Sequence, residues 1–136
     1  MKYVLDTNAV SALMKGDPRF VARLRQVSKE DVAVPYPVLA EIAYGIARLP
    51  RSRRRELLRE RFDLVRAELP RVPWSDDVSE AFGTLKAQLE RRGERVEDFD
   101  VAVAAHAVTT DAVLVTANLG HMRRMPGLRI EDWASG

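Results

Sequence analysis

The sequence has no cysteine among its 136 residues. It therefore has neither a disulfide framework nor a thiolate metal site. No apolar run approaches the roughly 20 residues that span a bilayer. The opening segment, MKYVLDTN, is too short in its apolar part and too acidic for a secretory signal. We therefore expect one cytoplasmic domain over residues 1–136, without membrane association.

Lysine is also scarce, since Arg supplies most of the 22 basic residues in a chain of net charge +2. Arginine pairs with phosphate through two hydrogen bonds, which favours a nucleic-acid partner. The codon usage of a GC-rich genome would produce the same bias. The densest group of arginines forms either a solvated helix face or a surface that contacts the phosphates of an RNA backbone. Its members are Arg48, Arg51, Arg53, Arg54, Arg55, Arg59 and Arg61. The candidates for RNA contact are Arg48, Arg51 and Arg53.

Short β-rich apolar runs alternate with helical patterns along the whole chain. The predicted strands are Tyr3–Leu5, Val32–Val34, an extended piece at Val72–Trp74, Ala112–Val115 and Leu128–Ile130. A connector is expected from Val96 to Asp100, ahead of the helix VAVAAHAV. This alternation predicts an α/β domain with a central short parallel sheet and helices on both faces.

Polar side chains follow two of the predicted strands. Asp6 comes directly after the first strand, and Thr116 and Asn118 follow the run Leu114-Val115. Ligands of open parallel sheets bind beyond the carboxyl ends of the strands. Two more acids stand in apolar surroundings, Glu41 within VLAEIAYGI and Asp100 at the start of the Ala/Val helix. We expect the three acids to meet at one end of the sheet.

Such a cluster of acids requires a cation. Two carboxylates ~4 Å apart repel by about 4 kcal/mol at an effective dielectric constant near 20. Magnesium or manganese offsets this repulsion and prefers oxygen ligands. A metal-bound water then supports phosphodiester cleavage. The pattern therefore favours a metal-dependent nuclease.

Each polar residue of the cluster also has an ordinary structural explanation. Asp6 could cap the helix that follows it, and Glu41 could lie on an exposed helix flank. Asp98 and Asp100 could both complement the dipole of the helix that they open. Asn118 could be a turn residue. The two histidines, His106 and His121, are expected to be packed or surface residues outside the site.

Five segments of the chain together resemble a known family, the PIN-domain ribonucleases. They are the strand-DTN opening, VLAEIAYGI, DVAVAAHA, VLVTAN and the closing PGLRIEDW. Their order and spacing match the family from about Tyr3 to Trp133. More narrowly, the chain resembles the VapC-type toxins of bacterial and archaeal toxin–antitoxin pairs. The resemblance implies a PIN-like fold and a metal-dependent endoribonuclease activity.

The resemblance also assigns the acids. Asp6 and Glu41 match the first two acids of the family, and the D-x-x-V-A-A pattern makes Asp100 the third in preference to Asp98. Asn118 matches a fourth position that is either Asp or Asn in the family. An Asn there keeps an oxygen ligand but lacks a charge, which argues against two bound metals.

The same resemblance indicates which residues bind the metal and which support the acids. The expected metal ligands are Asp6 and Asp100, with Mg²⁺ or Mn²⁺ as the ion. Thr7, Asn8 and Thr116 are expected to hydrogen-bond the acids or the waters of the metal. The resemblance further implies an RNA substrate, a homodimer and a cognate antitoxin that blocks the site. It does not identify the RNA.

Two other classes of protein stay open. One is a non-catalytic PIN-fold module for RNA binding or processing. The other is an aspartyl phosphotransferase that uses Asp6 as its nucleophile. Such enzymes usually carry a second Asp two residues later, where this chain has Asn8.

Overall fold

The structure is a computed structural model that describes residues 1–134. In this range the strands are β1 (Tyr3–Leu5), β2 (Val32–Pro35), β3 (Arg71–Val72), β4 (Val113–Val115) and β5 (Ile130–Glu131). The α-helices are α1 (Thr7–Lys15), α2 (Pro18–Leu24), α3 (Tyr36–Ala47), α4 (Arg53–Glu68), α5 (Asp76–Arg91), α6 (Asp98–Thr109) and α7 (Leu119–Met122). Between residues 1 and 134, no helix is both long and apolar enough to cross a membrane.

Local sequence signals explain where the helices begin and end. Gly16 ends α1 in the left-handed conformation, with φ of 71°, which glycine adopts at little cost. Asp17 then caps α2 by accepting hydrogen bonds from two backbone N–H groups, and Pro18 occupies the first turn of that helix. The hydroxyl of Ser75 caps α5 in the same way.

The five strands form one parallel sheet in the order β3-β2-β1-β4-β5. The central strand is β1, where Tyr3 pairs with Val32 on one side and with Val113 on the other. The strands β1 and β2 are buried apart from the partly exposed Tyr3, as their runs of apolar residues predict. The prediction of an α/β domain with a short parallel sheet is confirmed.

The strand order reverses at β1. From β1 the chain adds β2 and then β3 on one side, and later adds β4 and β5 on the other. Because such crossovers are right-handed, the reversal puts α1–α4 on one face of the sheet and α5–α7 on the other. The contacts agree, since α1 packs against α2, α3 and α4, while α6 packs against α5 and α7. The crevice between the carboxyl ends of β1 and β4 is where open α/β sheets bind ligands.

The helix α6 is a rigid element beside this crevice. Seven consecutive residues, Val101 to Ala107, are buried. Their small side chains allow close packing against α5 and the sheet. His106 is fully buried among them and its Nδ1 lies 2.7 Å from the carbonyl oxygen of Ala102. Its expected role as a packed residue agrees with this environment.

Several predicted boundaries were wrong. The connector expected up to Asp100 is already helical from Asp98, because no Pro or Gly interrupts the segment and its acids complement the helix dipole. The last strand is Ile130–Glu131 instead of Leu128–Ile130, since a turn from Met125 to Leu128 precedes it. The third strand is Arg71–Val72 and stops at Pro73, which has no N–H to donate. The short helix α7 was not predicted.

Candidate active site

Asp6 lies where the strand order of the sheet reverses, and hydrogen bonds fix both its backbone and its side chain. Its backbone N–H donates to the carbonyl of Val115 at 3.0 Å, which extends the pairing of β1 with β4 by one residue. Asp6 as a whole is only 3% exposed. Its Oδ1 accepts from the backbone N–H of Thr7 at 2.8 Å, so Asp6 also caps α1. Asp6 therefore caps a helix and also belongs to the site, so its interpretation as a helix cap does not exclude its interpretation as a site residue.

Thr116 fixes the other oxygen of this carboxylate. Its hydroxyl donates to Asp6 Oδ2 at 2.8 Å and accepts from the backbone N–H of Asn118 at 2.9 Å. The side chain of Asn8 reaches both partners, because its Nδ2 lies 3.3 Å from Asp6 Oδ2 and from Thr116 Oγ1. The Asn8 oxygen accepts from the backbone N–H of Ala117 at 2.7 Å, which sets the orientation of the amide. These contacts join the ends of β1 and β4.

Glu41 and Asp100 approach Asp6 from opposite faces of the sheet. Glu41 lies on α3, which follows β2, and Asp100 lies in the first turn of α6. Glu41 is exposed, whereas the Asp100 side chain is 15% exposed. All three acids line one cavity of about 760 Å³ together with Asn118. The three acids therefore meet at one end of the sheet, as the sequence predicts.

The cavity raises the pKa of Asp6, Glu41 and Asp100. For Asp6, burial is the main cause, hydrogen bonds from Thr7 and Thr116 oppose it, and the charge of Asp100 adds to it. For Glu41, burial also raises the pKa, and repulsion from Asp6 and Asp100 adds to the increase. For Asp100, burial raises the pKa and His121 opposes the increase. The cavity by itself thus disfavours the charged forms that a cation would stabilise.

The donor set fits a hard divalent ion that keeps part of its water. The residues at the cavity offer carboxylate and amide oxygens, which Mg²⁺ and Mn²⁺ prefer. Within residues 1–134, no three His, Cys, Asp or Glu side chains are close enough to form a metal site by themselves. A ligand set of one or two carboxylates plus waters is common for magnesium. In addition, the buried hydroxyl of Thr7 lies beside Glu41, where it opposes the increase in the pKa of that carboxyl.

Asp98 and Asp100 point in different directions. Asp98 is 66% exposed in its side chain and forms an ion pair of 3.1 Å with Lys86 on α5. Asp100 faces the cavity. The two residues are about 200° apart on the helix, since successive residues turn by about 100°. The structure therefore offers an ordinary ion-pairing role for Asp98.

His121 is an exposed surface residue, as expected, but it lies next to the site. Its Nδ1 is 3.6 Å from Asp100 Oδ2 and 3.3 Å from the amide nitrogen of Asn118. It lies on α7, the short helix that was not predicted, and this explains why sequence reasoning missed it. Three further charged residues, Lys15, Asp17 and Glu97, also line the cavity. No motif pointed to them.

The arginine cluster divides into parts with different surroundings. Arg48 lines a second cavity, of about 510 Å³, that shares Glu41 and Thr7 with the first. Arg54 lines it as well. Arg51 lines a separate cavity with Arg55 and Arg59, along α4. Arg53 is exposed at the first position of α4. Of the three arginines proposed to contact RNA, Arg48 is the one that shares a cavity with an acid of the site.

The fold and the cavity together define a class of protein. They give a parallel α/β sheet with three carboxylates around the point where its strand order reverses, the kind of oxygen-ligand site that metal-assisted phosphodiester chemistry uses. The chain belongs to the PIN domain family, whose family model matches residues 3–128. The family predicted from the five segments is confirmed.

Relatives with known names are similar over nearly the whole chain. Ribonuclease VapC2 of Rickettsia felis is 31% identical over 135 residues, which is 98% of each chain. The tRNA(fMet)-specific endonuclease VapC of Salmonella typhimurium is 29% identical over 98% of each chain. Among solved structures, VapBC2 from Rickettsia felis bound to a DNA fragment from their promoter has a TM-score of 0.88 at 29% identity, covering 98% of this chain and 99% of that one.

Proposed function

We propose that this protein is a divalent-metal-dependent endoribonuclease and the toxin of a type II toxin–antitoxin pair. The observation that carries the proposal is the cavity at the ends of β1 and β4, where three carboxyls with raised pKa values converge. Similarity to ribonucleases named VapC supports the enzyme class and the RNA substrate. Mg²⁺ or Mn²⁺ is the ion that the oxygen ligands favour.

Each residue of the site has a distinct task in this proposal. Asp6 and Asp100 hold the divalent ion, and Asn118 offers a neutral oxygen beside them. The ion, when bound, lowers the pKa of a coordinated water and neutralises charge on the phosphoryl oxygen. Glu41, the most exposed of the acids, orients the attacking water and accepts its proton. The pKa of the Glu41 carboxyl is raised in the direction of neutral pH, which suits a group that both accepts and releases protons.

The supporting residues hold Asp6 in one orientation. The N–H of Thr7, the hydroxyl of Thr116 and the amide of Asn8 all donate to its carboxylate. These donors oppose the increase in pKa that burial causes and so favour the ionised form that binds a cation. The carboxylate needs no rearrangement before the ion binds.

The surroundings of Asp6 do not favour an aspartyl phosphotransferase. Such enzymes usually carry a second Asp two residues after the nucleophile, where this chain has Asn8. The amide of Asn8 bridges Asp6 and Thr116.

We further propose an antitoxin partner and a homodimer. Similarity to a VapBC complex supports a partner for this chain, and the acidic cavity would suit a basic side chain from that partner. Exposed apolar residues on α4, Leu57 and Leu64, offer a surface for association. Light scattering of the purified chain tests the dimer. Coexpression with the small open reading frame next to its gene tests the antitoxin.

The test of the activity is cleavage of a defined RNA with Mg²⁺ or Mn²⁺. We expect Asp6→Asn and Asp100→Asn to lower kcat/KM by about 100-fold or more, since the loss of partners that only support a metal ligand already costs 10–100-fold. Asp98→Asn is the matched control, because it removes an acid from the same helical turn but outside the cavity. Full metal-dependent cleavage by Asp6→Asn would contradict the assignment.

A further inference from the structure

A second cavity continues directly from the acidic one. It shares Thr7, Ser11, Lys15 and Glu41 with that cavity and extends along α3 towards α4. Its floor is apolar, since Met14, Ile42 and Ile46 are buried beneath it. Its volume of about 510 Å³ lies within the roughly 300–1,000 Å³ of small-ligand sites. The two cavities form one continuous surface with acids at one end.

An exposed aromatic side chain stands at this second cavity. Tyr44 is 64% exposed, the highest value among the large hydrophobic residues in the described part of the chain. It makes no ring stacking, cation–π contact or side-chain hydrogen bond with any residue between 1 and 134. Other aromatic side chains, such as Tyr3 and Trp133, pack against each other. An aromatic ring beside an apolar floor and next to a nuclease site suits a flat ligand.

The cations at the cavity are also without partners. The side chains of Lys15, Arg48 and Arg54 form no ion pair or hydrogen bond within residues 1–134. By contrast, Arg59 and Arg66 on α4 are paired with Asp63. Glu41 and Tyr44 lie on α3, and Arg48 is the C-cap residue that continues its helical backbone, so their spacing of three and four residues puts all three on one face. From Glu41 to Arg48 the helix rises by about 10 Å. A phosphate bound by Arg48 would therefore belong to a nucleotide next to the one that is cleaved.

We propose that Tyr44 stacks on an unpaired base of the substrate while Arg48, Arg54 and Lys15 bind the adjoining phosphates. This proposal rests on the proposed ribonuclease function and adds to its site a subsite for one neighbouring nucleotide. A base can stack on an exposed aromatic ring only when it has left its own helix. The phosphates carry the charge that these cations complement, and stacking accepts any base, so the subsite selects for strandedness and not for sequence.

The test is binding of a labelled RNA of about ten nucleotides, measured by fluorescence anisotropy, and of the same sequence as a duplex. All proteins carry Asp100→Asn so that the RNA stays intact. Tyr44→Ala should weaken single-strand binding by about tenfold and leave duplex binding within twofold, while Tyr44→Phe should bind like the parent. Tyr36→Ala is the matched control, since Tyr36 is an exposed tyrosine on the same helix, 46% exposed, that does not line either cavity.

The arginines are tested by salt dependence. Arg48→Gln and Arg54→Gln should each reduce the slope of log K against log salt by about 0.7, the value for one phosphate contact of a single strand. Unchanged single-strand affinity in Tyr44→Ala, or unchanged slopes in both arginine variants, would overturn the proposal. So would loss of antitoxin binding in Tyr44→Ala with intact RNA binding, because this surface would then belong to a protein.

Cleavage assays separate this proposal from the proposed function. If the otherwise unaltered chain cleaves RNA with Mn²⁺ and Tyr44→Ala has the same kcat/KM, the subsite is wrong and the nuclease assignment stands. If the unaltered chain cleaves no RNA, the nuclease assignment fails first. Thermal unfolding of Tyr44→Ala should match that of the parent, since the side chain is 64% exposed.

Discussion

Replacement of Thr116 by Val tests how strongly the hydrogen bonds around Asp6 hold the site together. Thr116 is 1% exposed, and its hydroxyl contacts Asp6 Oδ2 at 2.8 Å and the N–H of Asn118 at 2.9 Å. Valine has nearly the same shape but neither donates nor accepts. The change therefore removes the hydrogen bonds and leaves the packing, and Thr116→Ser is the control that keeps the hydroxyl.

The expected loss is about 2 kcal/mol of unfolding free energy, since a hydrogen bond to a charged group contributes roughly 1.5–3 kcal/mol. At roughly 2.1 cal/mol/K per residue, the unfolding entropy of a 136-residue chain is about 0.29 kcal/mol/K. The melting temperature should therefore fall by about 7 °C at pH 8 without metal.

The loss should depend on pH with a definite sign. The Thr116 hydrogen bond lowers the pKa of Asp6, so its removal raises that pKa further in the folded state only. Below the pKa of the unfolded state, Asp6 is neutral in both states and the difference between the variant and the parent is small. The difference grows as pH rises through the folded pKa.

Circular dichroism melts at pH 4, 6 and 8 in EDTA measure this dependence. The Ser variant should stay within a few degrees of the parent, because it keeps all the polar contacts. A Val variant that melts with the parent at pH 8, or that loses the same stability at every pH, would refute the argument that Thr116 acts on the charge of Asp6.

Three further predictions concern the charges of the cavity. Asp100→Asn should raise the melting temperature of the metal-free protein at pH 8, because it removes a partly buried charge that repels Asp6 and Glu41; an unchanged or lower value would contradict this. Cleavage should increase with pH as the three carboxyls ionise. A higher Mn²⁺ concentration should move the midpoint of this pH profile to lower pH, because the ion competes with protons for the carboxylates. A midpoint that does not change with Mn²⁺ concentration would count against metal binding by these acids. His121→Ala should move the acidic limb of the same profile to higher pH, since His121 lowers the pKa of Asp100, and His121→Gln serves as the control for the loss of bulk.

The sequence was most informative where strand ends coincide with polar residues. Asp6 and Thr116 follow short apolar strands, so parallel pairing alone brings them to one edge. Asp100 required the small-residue pattern of α6 as well. The amphipathic pattern of α3 placed Glu41 on a helix, but its direction relative to the sheet depends on the crossover from β2, which the sequence does not state.

Other contacts could not be predicted, because they depend on tertiary packing of segments with weak local signals. The helix α7 has four residues and no side-chain cap, so nothing indicated that His121 reaches Asp100. Tyr44 stands in the apolar segment VLAEIAYGI, yet it is exposed while Ile42 and Ile46 are buried. The separation of Arg48 and Arg54 from Arg51, Arg55 and Arg59 into different cavities follows from the turn between α3 and α4.

Calorimetric titration of Mn²⁺ into the unaltered chain, Asp100→Asn and Asp98→Asn at neutral pH, with RNA cleavage measured on the same samples, is the most direct test of the central claim. We predict that the unaltered chain and Asp98→Asn bind Mn²⁺ and cleave RNA equally well, whereas Asp100→Asn loses both properties together. Absence of Mn²⁺ binding in the unaltered chain, or full cleavage by Asp100→Asn, would contradict the account of a metal held by the carboxylates at the ends of β1 and β4.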